Sequence, residues 1–210
     1  VLEVGSNDGY LSAELSGLGY DVVGIDPSPA MARLASERGV RTLTRLFDAE
    51  AVDSVLGALR ARPKLIVANN VFNHANDPSS FVRGIREVLD PDGVFVFELP
   101  YWSRSIQDRK FDQVYHEHVS YLTVNYAVNL FAMNGMHVSD VQEVDYHGGS
   151  VRVYVKHGER KVLVEPAAAL VAAEQAAGLF APETYRTFMA DTLRTRDQFL
   201  ERIYGLRRVG

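Results

Sequence analysis

Short apolar runs alternate with amphipathic stretches along most of this chain, and glycine or proline marks nearly every change of period. Such alternation dictates a mostly parallel sheet covered by helices, an α/β architecture. Strands are predicted over residues 1–4, 21–25, 40–44, 64–68 and 94–99, with helices over 10–18, 30–38, 49–61 and 79–89 between them. Gly19 and Gly39 stand where helices stop, and Pro27-Ser28-Pro29 and Asn76-Asp77-Pro78 stand where they start. Residues 124–133 read as another helix. Residues 138–145 and 151–156 alternate in polarity, so they are predicted to pair antiparallel at the sheet edge. Helices over 167–177 and 182–206 follow, and their apolar positions Leu193, Phe199 and Ile203 suggest a packing face. The expected division is a ligand-binding domain over 1–160 and a helical extension over 161–210.

The first turn narrows the ligand. Val1-Leu2-Glu3-Val4-Gly5-Ser6-Asn7-Asp8-Gly9 is an apolar strand running into a glycine loop, where no Cβ keeps a ligand from the backbone. The second strand ends on Asp26, roughly 20 residues after Gly5, the spacing at which a carboxylate takes the hydroxyls of a ribose. A dinucleotide fingerprint would need a glycine where Asn7 stands, and Asp8 brings negative charge toward a phosphate position. Both disfavour NAD and FAD. A cofactor with a positive centre and no phosphate suits this loop better, and S-adenosylmethionine is one. The segment Glu3 to Gly9 resembles the first motif of the class I S-adenosylmethionine-dependent methyltransferases. That resemblance implies a Rossmann-like, seven-stranded sheet, mostly parallel with its last strand reversed, helices on both faces, and added C-terminal helices. It further implies cofactor contacts from Glu3, Gly5, Ser6, Asn7, Gly9, Asp26, Pro27, Asn69 and Asn70.

Composition excludes other classes. Lys and Arg number 22 against 27 Asp and Glu, a net charge of −5, and no basic stretch offers a nucleic-acid groove. The chain contains no cysteine, which removes disulfides and thiolate zinc sites. No apolar run approaches a membrane span, and no signal peptide is evident. A small-molecule substrate and a cytoplasmic location are expected. The chain begins within its first strand and stops after a helical pattern, so it is expected to be an internal piece of a longer protein.

The segment from residue 100 to 123 fits neither period and is rich in Tyr, His, Arg and Asp. Long polar connections after a core strand are where function concentrates. Tyr115-His116-Glu117-His118 stands between apolar residues, so burial would shift its proton affinities. With His147-Gly148-Gly149 and the Asn70–His74 stretch, it resembles the sugar C-methyltransferases of deoxysugar biosynthesis. The resemblance covers essentially the whole chain. It implies a nucleotide-linked keto-sugar as substrate, with a zinc-binding domain before this region and an α/β domain after it.

Methylating a sugar carbon requires a carbanion equivalent, which a neighbouring ketone makes accessible. A base must remove the proton and a donor must stabilise the enolate oxygen. His118 is the expected base, with Glu117 orienting it or sharing its proton. Tyr115 is the expected donor near the oxyanion or an alternative proton acceptor, and His74 a second donor. Tyr101, His116, His147 and Gly148 are expected to touch substrate. Bland readings compete: His74 capping the helix after it, Tyr101 and Trp102 as packing aromatics, Arg152 as a surface charge or phosphate contact. No metal site is expected, because zinc-type helical His spacing is absent around His74, His116, Glu117 and His118. The alternatives are an O- or N-methyltransferase of a small metabolite, and a cofactor-binding domain without catalysis.

Overall fold

The computed structural model describes residues 1–209. Strands β1 (Leu2–Val4), β2 (Val23–Asp26), β3 (Arg41–Thr44), β4 (Leu65–Asn69), β5 (Val94–Pro100), β6 (Met136–Val144) and β7 (Ser150–His157) form one sheet in the order β3-β2-β1-β4-β5-β7-β6. The first five are parallel, and β7 runs antiparallel to both β5 and β6. The predicted edge hairpin therefore folds back so that its second strand inserts beside β5. This is the seven-stranded, mostly parallel α/β architecture expected from the alternation.

Among the described residues the α-helices are α1 (Tyr10–Gly17), α2 (Pro29–Glu37), α3 (Val52–Ala58), α4 (Pro78–Val88), α5 (Trp102–Gln107), α6 (Val124–Met133), α7 (Glu165–Ala176) and α8 (Pro182–Val209). Strands covered on both faces must be apolar throughout, and Leu2, Val23, Ile66, Phe95 and Phe97 are fully buried. Under the sheet's working end, Phe72, Phe81, Phe95, Phe97 and Phe131 form one aromatic cluster with ring centroids 5.0–6.3 Å apart. The Asp77 side chain accepts from the Ser80 amide at 2.9 Å and caps α4, so the Asn76-Asp77-Pro78 signal is a true start and His74 is no cap.

Three expectations change. The helix predicted over 49–61 is a 3-10 turn followed by α3, and Leu59 is already extended ahead of Pro63. The segment after β5 contains the short helix α5 and a 3-10 turn at Phe111–Gln113, each too brief to show a period in sequence. Leu193, Phe199 and Ile203 on α8, expected to pack toward core or partner, are exposed and do not face the core. Among the described residues, no helix is long and apolar enough to cross a membrane.

Candidate active site

The loop after β1 is shaped by backbone demands. Gly5 and Gly9 adopt positive φ, +69° and +77°. A Cβ on Gly5 would overlap the Val71 side chain, and one on Gly9 would stand 2.8 Å from the Ala35 Cβ. The Gly5 and Ser6 amides both donate to the Ile25 carbonyl, at 2.8 and 3.2 Å, locking the loop to β2. Asp26 at the end of β2 accepts from the Asn7 amide at 3.0 Å and the Ser28 amide at 2.9 Å, one on each oxygen. The carboxylate is thus fixed in direction and keeps lone pairs for a further donor.

Above this loop opens a cleft of about 400 Å³. Gly5, Asn7, Asp26, Pro27, Asn69 and Asn70 line it, as does His74. Glu3, Ser6 and Gly9, also expected at the cofactor, lie behind the loop and do not line the cleft. Glu3 is buried and receives the Ser12 hydroxyl, and burial pushes its carboxyl above the ordinary carboxylate range. Ser6 packs against Gly24 and Thr42. Asp8 pairs with Arg38 at 2.8 Å on the outer side, so its charge does not face the cleft. Sequence reasoning missed Arg45, Leu46 and Phe47, which form a further wall. They follow β3, and the rule that sites form beyond the carboxyl ends of strands could have found them.

The cleft fits an adenosyl cofactor. Its volume lies in the usual ligand range of about 300–1,000 Å³. Its walls mix apolar side chains with a fixed carboxylate, and the buried Asn70 Oδ1 has no partner. Asn70 itself is held at φ +53° by donating its amide to the Glu98 carbonyl at 2.7 Å.

Two histidines meet at the edge of this cleft. His74 Nδ1 lies 2.7 Å from the Glu117 carbonyl, and His118 Nδ1 lies 2.9 Å from the Gln113 carbonyl. A carbonyl only accepts, so each Nδ1 carries a hydrogen, and the nitrogen of His118 left to take a proton is Nε2. The two ring centroids are 5.2 Å apart, and the Tyr115 ring lies 4.2 Å from that of His118. Burial lowers the His118 pKa from its ordinary 6.5, outweighing the opposing hydrogen bond to the Gln113 carbonyl. The ring is therefore neutral, with a basic nitrogen, at pH 7.

Four expectations on this side need correction. Glu117 does not orient His118: its carboxylate is exposed, 4.0 Å from His116 Nε2, and its backbone carbonyl holds His74 instead. His116 projects into solvent, its side chain 88% exposed. Tyr101 is a core residue, 3% exposed, whose hydroxyl donates to Glu174 at 3.0 Å. Arg152 is no free phosphate contact; it grips Glu98 across β5 and β7 through two nitrogens, at 2.8 and 3.0 Å. His147 and Gly148 are exposed on a left-handed turn (φ +49° and +76°), whose Gly148 carbonyl receives Lys110. Asn73, inside the expected Asn70–His74 stretch, has a definite place. Its carbonyl accepts from the Val119 and Ser120 amides, both at 3.0 Å, and its buried, unpartnered Oδ1 lies in a small pocket shared with His118. Among the described residues, no three His, Asp or Glu side chains gather in a metal-holding group.

Comparison with known proteins agrees with this geometry. A family model described as a methyltransferase domain matches residues 1–139, and one described as a C-methyltransferase C-terminal domain matches residues 145–210. The C-methyltransferase NovU of Streptomyces niveus is 34% identical over 98% of this chain and 49% of its own length, so the chain spans about half of that relative. The ubiquinone biosynthesis O-methyltransferase of Azorhizobium caulinodans is 32% identical over 46% of this chain and 38% of its own. Magnesium protoporphyrin IX methyltransferase from Synechocystis PCC 6803, solved with bound S-adenosylhomocysteine, superimposes with a TM-score of 0.57 over 75% of this chain and 73% of its own, at 13% identity. The chain therefore belongs to the S-adenosylmethionine-dependent methyltransferases of the class I fold, and its residues 145–210 resemble the C-methyltransferase C-terminal domain.

Proposed function

We propose that this chain catalyses C-methylation of a keto-sugar carried on a nucleotide. The observation that carries the reading is His118, with Nδ1 bound to a backbone carbonyl and Nε2 free, beside Tyr115 and at the border of the cofactor cleft. Support for a carbon acceptor comes from the C-terminal domain match and from the similarity to a protein named a C-methyltransferase. The sugar is inferred from the likeness of Tyr115-His116-Glu117-His118 and His147-Gly148-Gly149 to the sugar C-methyltransferases.

When bound, S-adenosylmethionine supplies an electrophilic methyl group on a sulfonium. Asp26 is suited to its ribose hydroxyls, and Asn69 and Asn70 stand beside the inner part of the cleft. His118 Nε2 removes the proton from the carbon next to the ketone, and the Tyr115 hydroxyl donates to the enolate oxygen. His74, tied through Nδ1 to the Glu117 carbonyl, steadies the loop that carries His118.

The test is product analysis with cofactor bearing a ¹³C-methyl group and keto-deoxysugar nucleotides as acceptors. A carbon-bound methyl resonance supports the proposal. An oxygen- or nitrogen-bound methyl favours the second reading, for which the partial match to ubiquinone O-methyltransferases speaks. Cofactor binding with no transfer to any acceptor would leave a binding domain without catalysis.

A further inference from the structure

Glu174 on α7 is completely buried, 0% exposed, and lies in the region matched by the C-methyltransferase C-terminal domain. All three donors it receives belong to the methyltransferase domain. The Tyr101 hydroxyl donates to Oε1 at 3.0 Å, the Val124 amide to Oε1 at 2.5 Å, and the Asn125 amide to Oε2 at 3.0 Å. Tyr101 begins the long connection after β5, and Val124 begins α6 where that connection ends. The same neck is closed by a bridge between Tyr101 and Leu122 and by the Trp102 amide donating to the Leu122 carbonyl at 3.1 Å. Between the two ends the connection exposes Phe111, Val114, Tyr115 and Val119, and its further ties are single contacts, among them the Val119 and Ser120 amides on the Asn73 carbonyl, the Glu117 carbonyl on His74 and Lys110 on the Gly148 carbonyl.

The opening amides of a helix have no partner within it, and a carboxylate satisfies them well. Burying one nevertheless costs heavily unless every oxygen is bonded, and an apolar side chain would pack the gap at less risk. Burial and the neighbouring carboxylate push the Tyr101 phenol far above its ordinary pKa, so it remains a donor. We infer that Glu174 is a positioning residue: it clasps both ends of the connection that carries His118, so that the C-terminal domain sets the place of the base. The clasp gives the proposed C-methylation its geometry, and the catalytic part of the inference rests on that reading.

The experiment is amide hydrogen exchange on this chain, wild type against Glu174→Gln, with steady-state kinetics alongside. Glutamine keeps the size but sets an NH₂ group against a backbone donor. Amides of residues 102–123 should exchange about tenfold faster while β1, β2 and β4 keep their protection. Turnover should fall roughly tenfold through kcat with the cofactor KM unchanged. Tyr101→Phe removes one arm only and should give the same pattern more weakly; it decides the matter if the first variant does not fold. Uniform loosening of the sheet, or unchanged protection of residues 102–123, overturns the clasp. Exchange is read without turnover, so loosened loop amides in an enzyme that never methylates carbon would refute the proposed function and leave the clasp standing.

Discussion

The cofactor cleft and the His118 loop lie beyond the carboxyl ends of neighbouring strands, but different bonds hold them. In the cleft, backbone groups set everything: two glycines at positive φ, two amides on the Ile25 carbonyl, two more on the Asp26 carboxylate. At the loop, the local Gln113 carbonyl aims His118, but the loop as a whole is held by partners distant in sequence: its Glu117 carbonyl by His74, and both its ends by Glu174 from another helix. A site that grips a constant cofactor can be rigid and local. A site that must fit a variable substrate can be hung from the fold by a few long-range contacts and altered without disturbing the first.

That contrast predicts separable damage. The largest effect falls on His118→Asn, which keeps shape but removes the free Nε2 base. Turnover should drop roughly 10²–10⁴-fold, while calorimetry finds S-adenosylmethionine affinity within about twofold, because no cleft-forming bond is touched. Loss of both together would break the separation. Asp26→Ala should do the opposite. Removing charged acceptors worth about 1.5–3 kcal/mol weakens cofactor binding by roughly ten- to a hundredfold, measured by the same titration.

Gly5→Ala sharpens the comparison from the backbone side. Positive φ and overlap with Val71 make alanine strained there, at about 1–3 kcal/mol. The thermal midpoint and the cofactor affinity should fall together, while protection of the His118 loop stays near wild type. The smallest effect is on pH. Because burial lowers the His118 pKa, Nε2 stays unprotonated to lower pH than in free imidazole. The acid limb of kcat/KM should therefore lie below about pH 6.5, with activity falling as pH drops through it. A limb above that value would mean that His118 is not the base.

The same difference explains what could be read from sequence. The place of Gly5, Asn7 and Asp26 at the cleft was legible because a tight turn restricts residue type and strand length restricts spacing. The helix start at Asp77 was legible for the same local reason. Tyr101 misled because a buried aromatic and a sugar-facing aromatic look alike until a partner is known. Glu174 gave no sign, since a glutamate within a helical pattern reads as solvent-facing and only the fold brings three donors to it. Glu117 misled differently: its neighbourhood was right, but the backbone carbonyl rather than the carboxylate carries the contact.

The most direct measurement is solvent deuterium incorporation into a keto-deoxysugar nucleotide by this chain, without methyl donor, followed by NMR. The account predicts exchange at the single carbon that is later methylated, and none with His118→Asn. Efficient methylation of carbon with no exchange, or exchange that survives the loss of His118, would contradict it.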